Sequence, residues 1–324
     1  MGLLVDGNWH TDWYDTKSSN GEFIRQDSQF RDWVGSEGLP VEAGRYHLFV
    51  SLACPWAHRA LIFRKLMKLE DAIDVTVVKP EMLDNGWEID DQVSLDAGYS
   101  PNPVEHVQYL YQLYTLAEPQ YNGRVTVPVL WDKVENRIVN NESADIIRMF
   151  NGVFRALSTV ETDFSPDALL PEIDRINKDV YDNINNGVYR AGFATTQKAY
   201  EAAYHRLFDA LDRVEAILEK QDFLVGDNVT EADWRLFTTL IRFDAVYYSH
   251  FKTNRQRIED YPNLSNYVRQ LYQYPGVAQT VDFHHIKTHY YYSHDTINPT
   301  RVVPVGPQLD FTRPHNRAHI SLVR

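Results

Sequence analysis

The chain of 324 residues is long enough for two domains, and its 44% hydrophobic and 24% charged residues are typical of a globular protein. Its formal net charge of -13 argues against nucleic acid or an anionic membrane as a partner. One cysteine excludes a disulfide scaffold and favours a reducing compartment, so we expect a cytoplasmic protein. We also expect no secretory signal and no membrane span, because the first residues lack a basic region and the apolar runs are short.

The first half of the chain predicts an extension followed by a small α/β domain. Residues 1–44 are polar, and glycine and aspartate interrupt any periodicity, so an ordered extension with little regular structure is expected. Residues 45–150 predict the element order βαβαββα, beginning with a right-handed parallel βαβ unit. In chain order the predicted elements are a strand at 45–51, a helix at 55–70, a strand at 73–78, a long loop at 80–103, a helix at 104–117, strands at 125–131 and 137–139, and a helix ending at 150.

The second half of the chain predicts an all-α domain. Residues 151–171 are rich in glycine, serine and proline and are predicted to form a linker. Thr230 and Asp233 have the spacing of a capping box, which we interpret as a folding signal without chemistry. The helical domain is expected at 172–295, with helices at 172–186, 197–220, 231–249 and 262–274 and a polar tail at 296–324.

The only cysteine, Cys54, stands between a predicted strand and a predicted helix. Pro55 suits the first helical position, so the thiol is expected at a helix N-terminus, where free N–H groups and the helix dipole stabilise a thiolate. Redox proteins of this layout often carry a second cysteine three residues on, where this chain has Ala57. Thiol chemistry at Cys54 therefore needs an external thiol such as glutathione. The alternative is that Cys54 is a small buried residue.

Two later features also suggest a ligand site, each with a structural alternative. Pro128 lies inside a predicted strand, which indicates either an edge strand or a cis peptide that exposes the Val127 backbone. Glu142 and Ser143 stand where a helix is predicted to begin, and helix N-termini bind anions. Ser143 could equally be an ordinary helix cap.

Four histidines near the end of the chain could suggest a metal site. His285 and His289 have the spacing of ligands on one helical face, and His284 and His294 lie close by in the sequence. However, no carboxylates or cysteines complete a recognised metal-binding pattern. We therefore expect aromatic packing and hydrogen bonding from these histidines, and no metal.

Several segments together resemble the glutathione transferases. The capping-box segment at 222–233, the pair Val127-Pro128 followed by Glu142-Ser143, and the stretch Cys54-Pro55-Trp56-Ala57-His58-Arg59 are similar to motifs of that family and of its cysteine-containing classes. The segments 186–194 and 285–294 resemble more narrowly the xi class, the glutathionyl-hydroquinone reductases. The resemblance implies a glutathione transferase fold, with a thioredoxin-like domain followed by an all-α domain.

The resemblance also implies an activity and a set of site residues. Such proteins reduce glutathionyl-hydroquinones to hydroquinones with glutathione as co-substrate, and they form homodimers through the helical domain. By resemblance, Cys54 is the catalytic nucleophile, and Tyr189 matches one of the tyrosines around the electrophile pocket. Because the leaving carbon needs a proton, we expect Tyr189 to be catalytic as the acid. The glutathione-binding positions are Trp87, Arg124, Val127, Glu142 and Ser143, and Tyr247 and Tyr290 line the electrophile pocket.

Two other functions remain open at the level of sequence. An omega-like thiol transferase or dehydroascorbate reductase would share Cys54 and the glutathione site without needing the tyrosines. A binding protein for aromatic ligands would need no turnover. The chain contains 20 tyrosines. Without the family resemblance, nothing in the sequence would distinguish Tyr189, Tyr247 and Tyr290 from ordinary core or surface residues.

Overall fold

The structure is a computed structural model, and it describes residues 2–317. The chain forms two compact units. The first unit comprises the described residues of Met1–Trp13, Gln26–Val160 and Thr280–Val303. The second comprises those of Tyr14–Arg25, Glu161–Gln279 and Pro304–Arg324. Residues 318–324 of the predicted tail lie outside the described residues.

The first unit contains seven strands and five helices among its described residues. The strands are β1 (Leu3–Val5), β2 (Asn8–His10), β3 (Tyr46–Val50), β4 (Asp74–Val77), β5 (Gly123–Arg124), β6 (Val129–Asp132) and β7 (Arg137–Asn140). The helices are α1 (Pro55–Leu66), α2 (Asp91–Asp96), α3 (Leu110–Ala117), α4 (Ser143–Asn151) and, from the end of the chain, α11 (Phe283–Ser293). A 3₁₀ turn follows α4 at Val153–Leu157.

The main sheet of this unit has four strands in the order β4-β3-β6-β7. Strands β3 and β4 are parallel, as predicted, and β6 pairs antiparallel with both β3 and β7. Every residue of β3 is buried, which is expected for a central strand covered on both faces. The carboxyl end of β3 leads directly to Cys54 and α1.

Three predicted elements of this half differ from the structure. Strand β6 begins at Val129 and not at 125, because Pro128 has no N–H to donate to the ladder. The Val127–Pro128 bond is cis. Helix α3 begins at Leu110 and not at 104, since the Gln112 side chain accepts the N–H groups of Gln108 and Tyr109 and caps the helix there. The predicted loop at 80–103 contains α2.

The extension also has more regular structure than its composition suggests. Strands β1 and β2 pair antiparallel, and β1 pairs with β5 to form a small three-stranded sheet. Leu4 is fully buried at the centre of this sheet. Residues 11–44 have little regular structure, as predicted, and these two short strands are the exception.

The second unit is helical. Its helices are α5 (Leu170–Val180), α6 (Gly187–Gly192), α7 (Gln197–Leu218), α8 (Glu231–Arg242), α9 (Tyr248–His250) and α10 (Leu264–Tyr272). Two predicted helices continue as π-helical turns, at Tyr181–Asn185 after α5 and at Phe243–Tyr247 after α8. Sequence periodicity does not distinguish these turns from a continuous α-helix.

The predicted capping box at the start of α8 is confirmed. The Asp233 carboxylate accepts the N–H of Thr230 at 2.7 Å and that of Leu224 at 2.9 Å. It also accepts the Tyr267 hydroxyl at 2.7 Å, and burial raises the pKa of Asp233. These bonds join the loop before α8, α8 itself and α10, so the motif orders the core of the unit.

Across residues 2–317, the structure contains no helix that combines the length and apolar character needed to cross a bilayer.

Candidate active site

Cys54 occupies the N-cap position of α1, as predicted. Its backbone is extended (φ -77°, ψ 123°), Pro55 is the first helical residue, and the N–H of His58 donates to the Cys54 carbonyl at 3.0 Å. Cys54 is partly exposed, and its Sγ lies 3.6 Å from the carbonyl oxygen of Val127. A partly exposed thiol at a helix N-terminus is the setting in which cysteine acts as a nucleophile.

The loop that carries Val127 is held by a buried tyrosine. The Tyr114 hydroxyl donates to the Thr126 carbonyl at 2.8 Å and accepts the Thr126 N–H at 3.2 Å. It also accepts an N–H from Asn141 at 3.1 Å, and burial raises the pKa of Tyr114. The bonds through Tyr114 tie the residue before Val127 to the start of α4, which fixes the cis-proline loop beside Cys54.

Glu142 and Ser143 form the N-terminus of α4. The Glu142 carboxylate accepts the Ala144 N–H at 3.0 Å and so caps the helix, while the Ser28 hydroxyl donates to its second oxygen at 3.1 Å. Ser143 is buried, and Arg59 donates to its hydroxyl at 3.3 Å. The N-cap of α4 is therefore Glu142, and Ser143 is the first helical residue. A ligand-binding role for Ser143 stays a prediction.

Arg59 was not singled out by the sequence, yet it connects the two helices that begin at the candidate site. It lies on α1, is 1% exposed, and reaches Ser143 at the start of α4. Its guanidinium carbon lies 4.6 Å from the ring centroid of Trp56. Such a buried cation lowers the cost of placing an anionic ligand between these helix N-termini. Only its position within the Cys54-Pro55-Trp56-Ala57-His58-Arg59 motif could have pointed to it.

Arg124 holds the extension in this structure. Its two terminal nitrogens donate to the carbonyls of Asp12 at 2.7 Å and of Trp13 at 2.8 Å. The predicted contact of Arg124 with a glycyl carboxylate stays a prediction.

Trp87 lies within residues 80–103, which the sequence predicted to be a loop, and its ring stacks on a residue of α11. It is buried, and its ring centroid lies 4.7 Å from that of His289 on α11, with 24° between the planes. His289 bonds through Nδ1 to the Pro80 carbonyl at 3.1 Å, and the Met82 N–H donates to Ser293 at 2.9 Å. The C-terminal helix therefore supports the segment that carries Trp87.

His58 and His289 have structural partners. His58 bonds through Nε2 to Thr280 at 2.7 Å, which attaches the segment before α11 to α1. Among the described residues there is no group of three histidine, cysteine or carboxylate side chains arranged to hold a metal ion. The absence of a metal in the functional protein stays a prediction.

The three predicted pocket tyrosines are divided between the units. Tyr290 belongs to the first unit, where its ring lies 5.3 Å from His289 and 5.4 Å from His294. Tyr189 and Tyr247 belong to the second, with ring centroids 6.1 Å apart. Tyr189 lies on α6, shortly after the π-helical turn at Tyr181–Asn185. Tyr247 is the last residue of the π-helical turn at Phe243–Tyr247.

An aromatic cluster surrounds Tyr189 in the second unit. The ring centroid of Phe251 lies 5.5 Å from the ring centroids of both Tyr189 and Tyr247. Phe23, from the extension, is 2% exposed, and its ring centroid lies 6.4 Å from that of Tyr189. The guanidinium of Arg25 lies 4.8 Å from the centre of the Tyr189 ring. The sequence gives no indication of a role for Phe23 or Arg25, because the extension has no periodicity from which the positions of its side chains could be predicted.

Comparisons with known proteins match this architecture over nearly the whole chain. A model of the glutathione S-transferase N-terminal domain matches residues 53–152, and one of the C-terminal domain matches residues 197–270. The glutathionyl-hydroquinone reductase YqjG of Escherichia coli is 52% identical over 98% of both chains. The glutathionyl-hydroquinone reductase PcpF of Sphingobium chlorophenolicum is 54% identical over 95% of this chain and 96% of its own.

Solved structures agree with these matches. The glutathione-bound structure of Escherichia coli YqjG has a TM-score of 0.88 at 49% identity and covers 98% of this chain and 99% of that one. A xi-class glutathione transferase of Natrialba magadii has a TM-score of 0.90 at 46% identity, covering 98% and 96%. The predicted fold class is confirmed. The chain therefore belongs to the glutathione transferase family and, within it, to the xi-class glutathionyl-hydroquinone reductases.

Proposed function

We propose that this chain reduces glutathionyl-hydroquinones to hydroquinones, with glutathione as the reductant and Cys54 as the nucleophile. The observation that carries the proposal is the position of Cys54, a partly exposed residue at the N-terminus of α1 whose Sγ lies 3.6 Å from the Val127 carbonyl oxygen. The chain's identity of more than 50% with two named glutathionyl-hydroquinone reductases supports the substrate class.

The first step transfers the glutathionyl group to the enzyme. The Cys54 thiolate attacks the sulfur of the substrate, a new S–S bond forms, and the bond between sulfur and the aromatic carbon breaks. The electron pair of that bond stays on the carbon, which takes a proton from Tyr189. The products of this step are the free hydroquinone and a mixed disulfide between Cys54 and glutathione.

The second step restores the enzyme. The thiolate of a second glutathione attacks the glutathionyl sulfur of the mixed disulfide, and oxidised glutathione leaves. The Cys54 thiolate leaves at the end of a helix whose N-terminus stabilises it. The sum of the two steps consumes one glutathionyl-hydroquinone and one glutathione, and yields one hydroquinone and one oxidised glutathione.

In this proposal the protein contacts the γ-glutamyl end, the central cysteinyl residue and the glycyl end of glutathione. Glu142 accepts the ammonium of the γ-glutamyl end, and the Ser143 N–H and hydroxyl hold its carboxylate at the start of α4. The backbone of Val127 pairs with the cysteinyl residue, beside the Cys54 thiol. Trp87 and Arg124 contact the remainder, with Arg124 directed to the glycyl carboxylate. The chain's net charge is -13, so these local donors must hold an anionic ligand.

The family resemblance also underlies our proposals for assembly and location. We propose a homodimer formed through the helical unit, and a cytoplasmic enzyme whose single cysteine stays reduced. Light scattering on the purified protein tests the first: a mass of about twice 37.7 kDa is expected, and a mass of one chain would contradict it.

A thiol transferase of the omega kind is the second candidate, favoured by one observation. Two fungal relatives, 48% and 39% identical, are named glutathione S-transferase omega-like 2. A thiol transferase would use Cys54 and the glutathione site in the same way, but on substrates whose leaving group is sulfur. It would not need an acid to protonate a leaving carbon.

Turnover of a glutathionyl-hydroquinone with glutathione separates the functions. The reductase releases free hydroquinone and oxidised glutathione in equal amounts. A thiol transferase reduces a simple glutathione mixed disulfide but releases no hydroquinone. A binding protein for aromatic ligands does neither, so a ligand-induced change in fluorescence without either product would contradict the proposal.

A further inference from the structure

The N-terminal extension contributes a short segment to the second unit, and this segment carries a cation to Tyr189. The segment is fixed to the turn between α6 and α7 by three bonds. The Thr195 N–H donates to the Gly21 carbonyl at 3.0 Å, and the Thr195 hydroxyl donates to Thr16 at 2.9 Å. The Thr196 hydroxyl, which also caps α7, donates to the Asn20 carbonyl at 3.0 Å.

A glycine makes this attachment close. Gly21 has φ of +92°, a conformation that side chains rarely adopt, and a Cβ at this position would overlap the Thr196 side chain. Two residues later, Phe23 is buried against Phe193 at a centroid distance of 5.3 Å. The close approach of Gly21 to Thr196 and the packing of Phe23 therefore fix the backbone that leads into Arg25.

The Arg25 side chain is itself oriented. Its Nε donates to the side-chain oxygen of Asn186 at 3.1 Å, and Asn186 is buried one residue before α6 begins. The guanidinium carbon then lies 4.8 Å from the centre of the Tyr189 ring, and Tyr189 lies on α6, three residues after Asn186. The hydrogen bond to Asn186 therefore fixes the Arg25 guanidinium relative to α6, the helix that carries Tyr189.

We propose that Arg25 is a positioning residue for Tyr189 in the reduction of glutathionyl-hydroquinones. The inference rests on the function proposed above, in which Tyr189 gives its proton to the leaving carbon. A phenol that has donated its proton is an anion, and a cation over the ring stabilises this anion and the transition state that leads to it. The same contact restricts the ring to one orientation, which matters because proton transfer requires a short, aligned approach.

Charge and geometry can be separated by substitution. Arg25→Met keeps an unbranched side chain of similar length but removes the charge and the bond to Asn186. Arg25→Lys keeps the charge but replaces the planar group with a point charge. The control is Arg255→Met, which removes a guanidinium that lies 4.5 Å from the ring centre of Phe208, a side chain without a proton to give. This substitution also removes the bonds of Arg255 to Asp212 and Tyr261, so it reports how far the loss of a bonded arginine in this unit alone affects the rates.

The experiment measures kcat and KM of each variant on two substrates, a glutathionyl-hydroquinone and a simple glutathione mixed disulfide. For Arg25→Met we expect kcat on the glutathionyl-hydroquinone to fall about tenfold, a part of the hundredfold or more that a general acid contributes. We expect KM for this substrate and both constants for the disulfide to stay within about twofold, because a sulfur leaving group needs no acid. Arg25→Lys should recover most of the lost kcat, and Arg255→Met should behave as the wild type.

Equal losses on both substrates would show that Arg25 only supports the fold, and no loss on either would show that it does not act on Tyr189. A loss carried by KM would assign it to binding. Each of these outcomes overturns the inference while leaving the reductase function intact, provided that the wild type and the Tyr189→Phe variant behave as proposed. A wild type without turnover of the glutathionyl-hydroquinone would overturn both the function and this inference.

Discussion

The thiol of Cys54 lies 3.6 Å from the carbonyl oxygen of Val127, across the junction between α1 and the cis-proline loop. Cys54 is positioned by the end of β3 and the start of α1, and Val127 is positioned through the bonds of Tyr114 to Thr126. A ligand that pairs with the Val127 backbone through a cysteinyl residue would bring its own sulfur to the Cys54 thiol. This relationship underlies the mixed-disulfide chemistry proposed here.

Tyr189→Phe should slow the proposed reduction selectively. The substitution removes the hydroxyl and keeps the ring among Phe23, Tyr247 and Phe251. Loss of a general acid is expected to lower turnover of a glutathionyl-hydroquinone by about a hundredfold or more. Exchange with a simple glutathione mixed disulfide should be nearly unchanged, because sulfur leaves without protonation. Steady-state rates on both substrates test this prediction. An equal decrease of the rate on the two substrates would make Tyr189 a structural residue.

Gly192→Ala should destabilise the helical unit and disturb the aromatic cluster. A Cβ at Gly192 would overlap the Phe251 ring, which contacts both Tyr189 and Tyr247. Overpacking of this kind typically costs about 1–3 kcal/mol in the free energy of unfolding. Urea denaturation followed by tryptophan fluorescence measures the change.

Gly187→Ala is the matched control for this prediction. It lies on the same helix, α6, and its added Cβ would lie 3.7 Å from Leu207, an ordinary contact. Because alanine favours the helix over glycine by about 1 kcal/mol, this variant should be as stable as the wild type or more so. If both variants lost the same stability, the contact of Gly192 with Phe251 would not be the cause.

His47 should make the protein less stable as the pH falls below 6.5. Burial lowers the pKa of His47 to about 3, and its Nε2 bonds to Thr76 at 2.8 Å inside β3 and β4. Between pH 6.5 and 3 the unfolded chain binds a proton that the folded chain does not, so the free energy of unfolding decreases as pH falls. The contribution of one such group approaches about 1.4 kcal/mol per pH unit.

The variant His47→Gln tests this assignment, since it keeps a donor for Thr76 without a titrating ring. Urea denaturation at pH 7.5, 6 and 5 should give a smaller decrease in the free energy of unfolding for the variant than for the wild type. Identical decreases would mean that other groups, such as the buried His250, whose pKa burial lowers to about 4, cause the acid sensitivity.

The sequence predicted the parts of the site that depend on local patterns. Cys54 follows from a strand, a proline and a helix that adjoin it, and the capping box of Thr230 and Asp233 follows from a three-residue spacing. Residues far apart in the chain were harder to predict. The contact of Ser28 with Glu142 spans 114 positions and that of Arg25 with Asn186 spans 161. No periodicity in an irregular extension encodes such contacts.

Other differences arise where local chemistry overrides the pattern. The π-helical turn at Phe243–Tyr247 continues the apolar spacing of α8, so the sequence predicted one unbroken helix. The state of the Val127–Pro128 bond could not be chosen from the sequence, because an edge strand explains the proline equally well. Tyr189 was selected through resemblance to a family and not through its spacing, since tyrosine occurs 20 times in the chain.

Mass spectrometry of the protein after a single turnover tests whether Cys54 receives the glutathionyl group of the substrate. The enzyme is mixed with a glutathionyl-hydroquinone in the absence of free glutathione, so the second step cannot occur. We predict that one hydroquinone is released per chain, that each chain gains one glutathionyl group on Cys54, and that Cys54→Ser does neither while still binding glutathione. Release of hydroquinone without a glutathionyl group on Cys54, or turnover by Cys54→Ser at a rate near that of the wild type, would contradict the account.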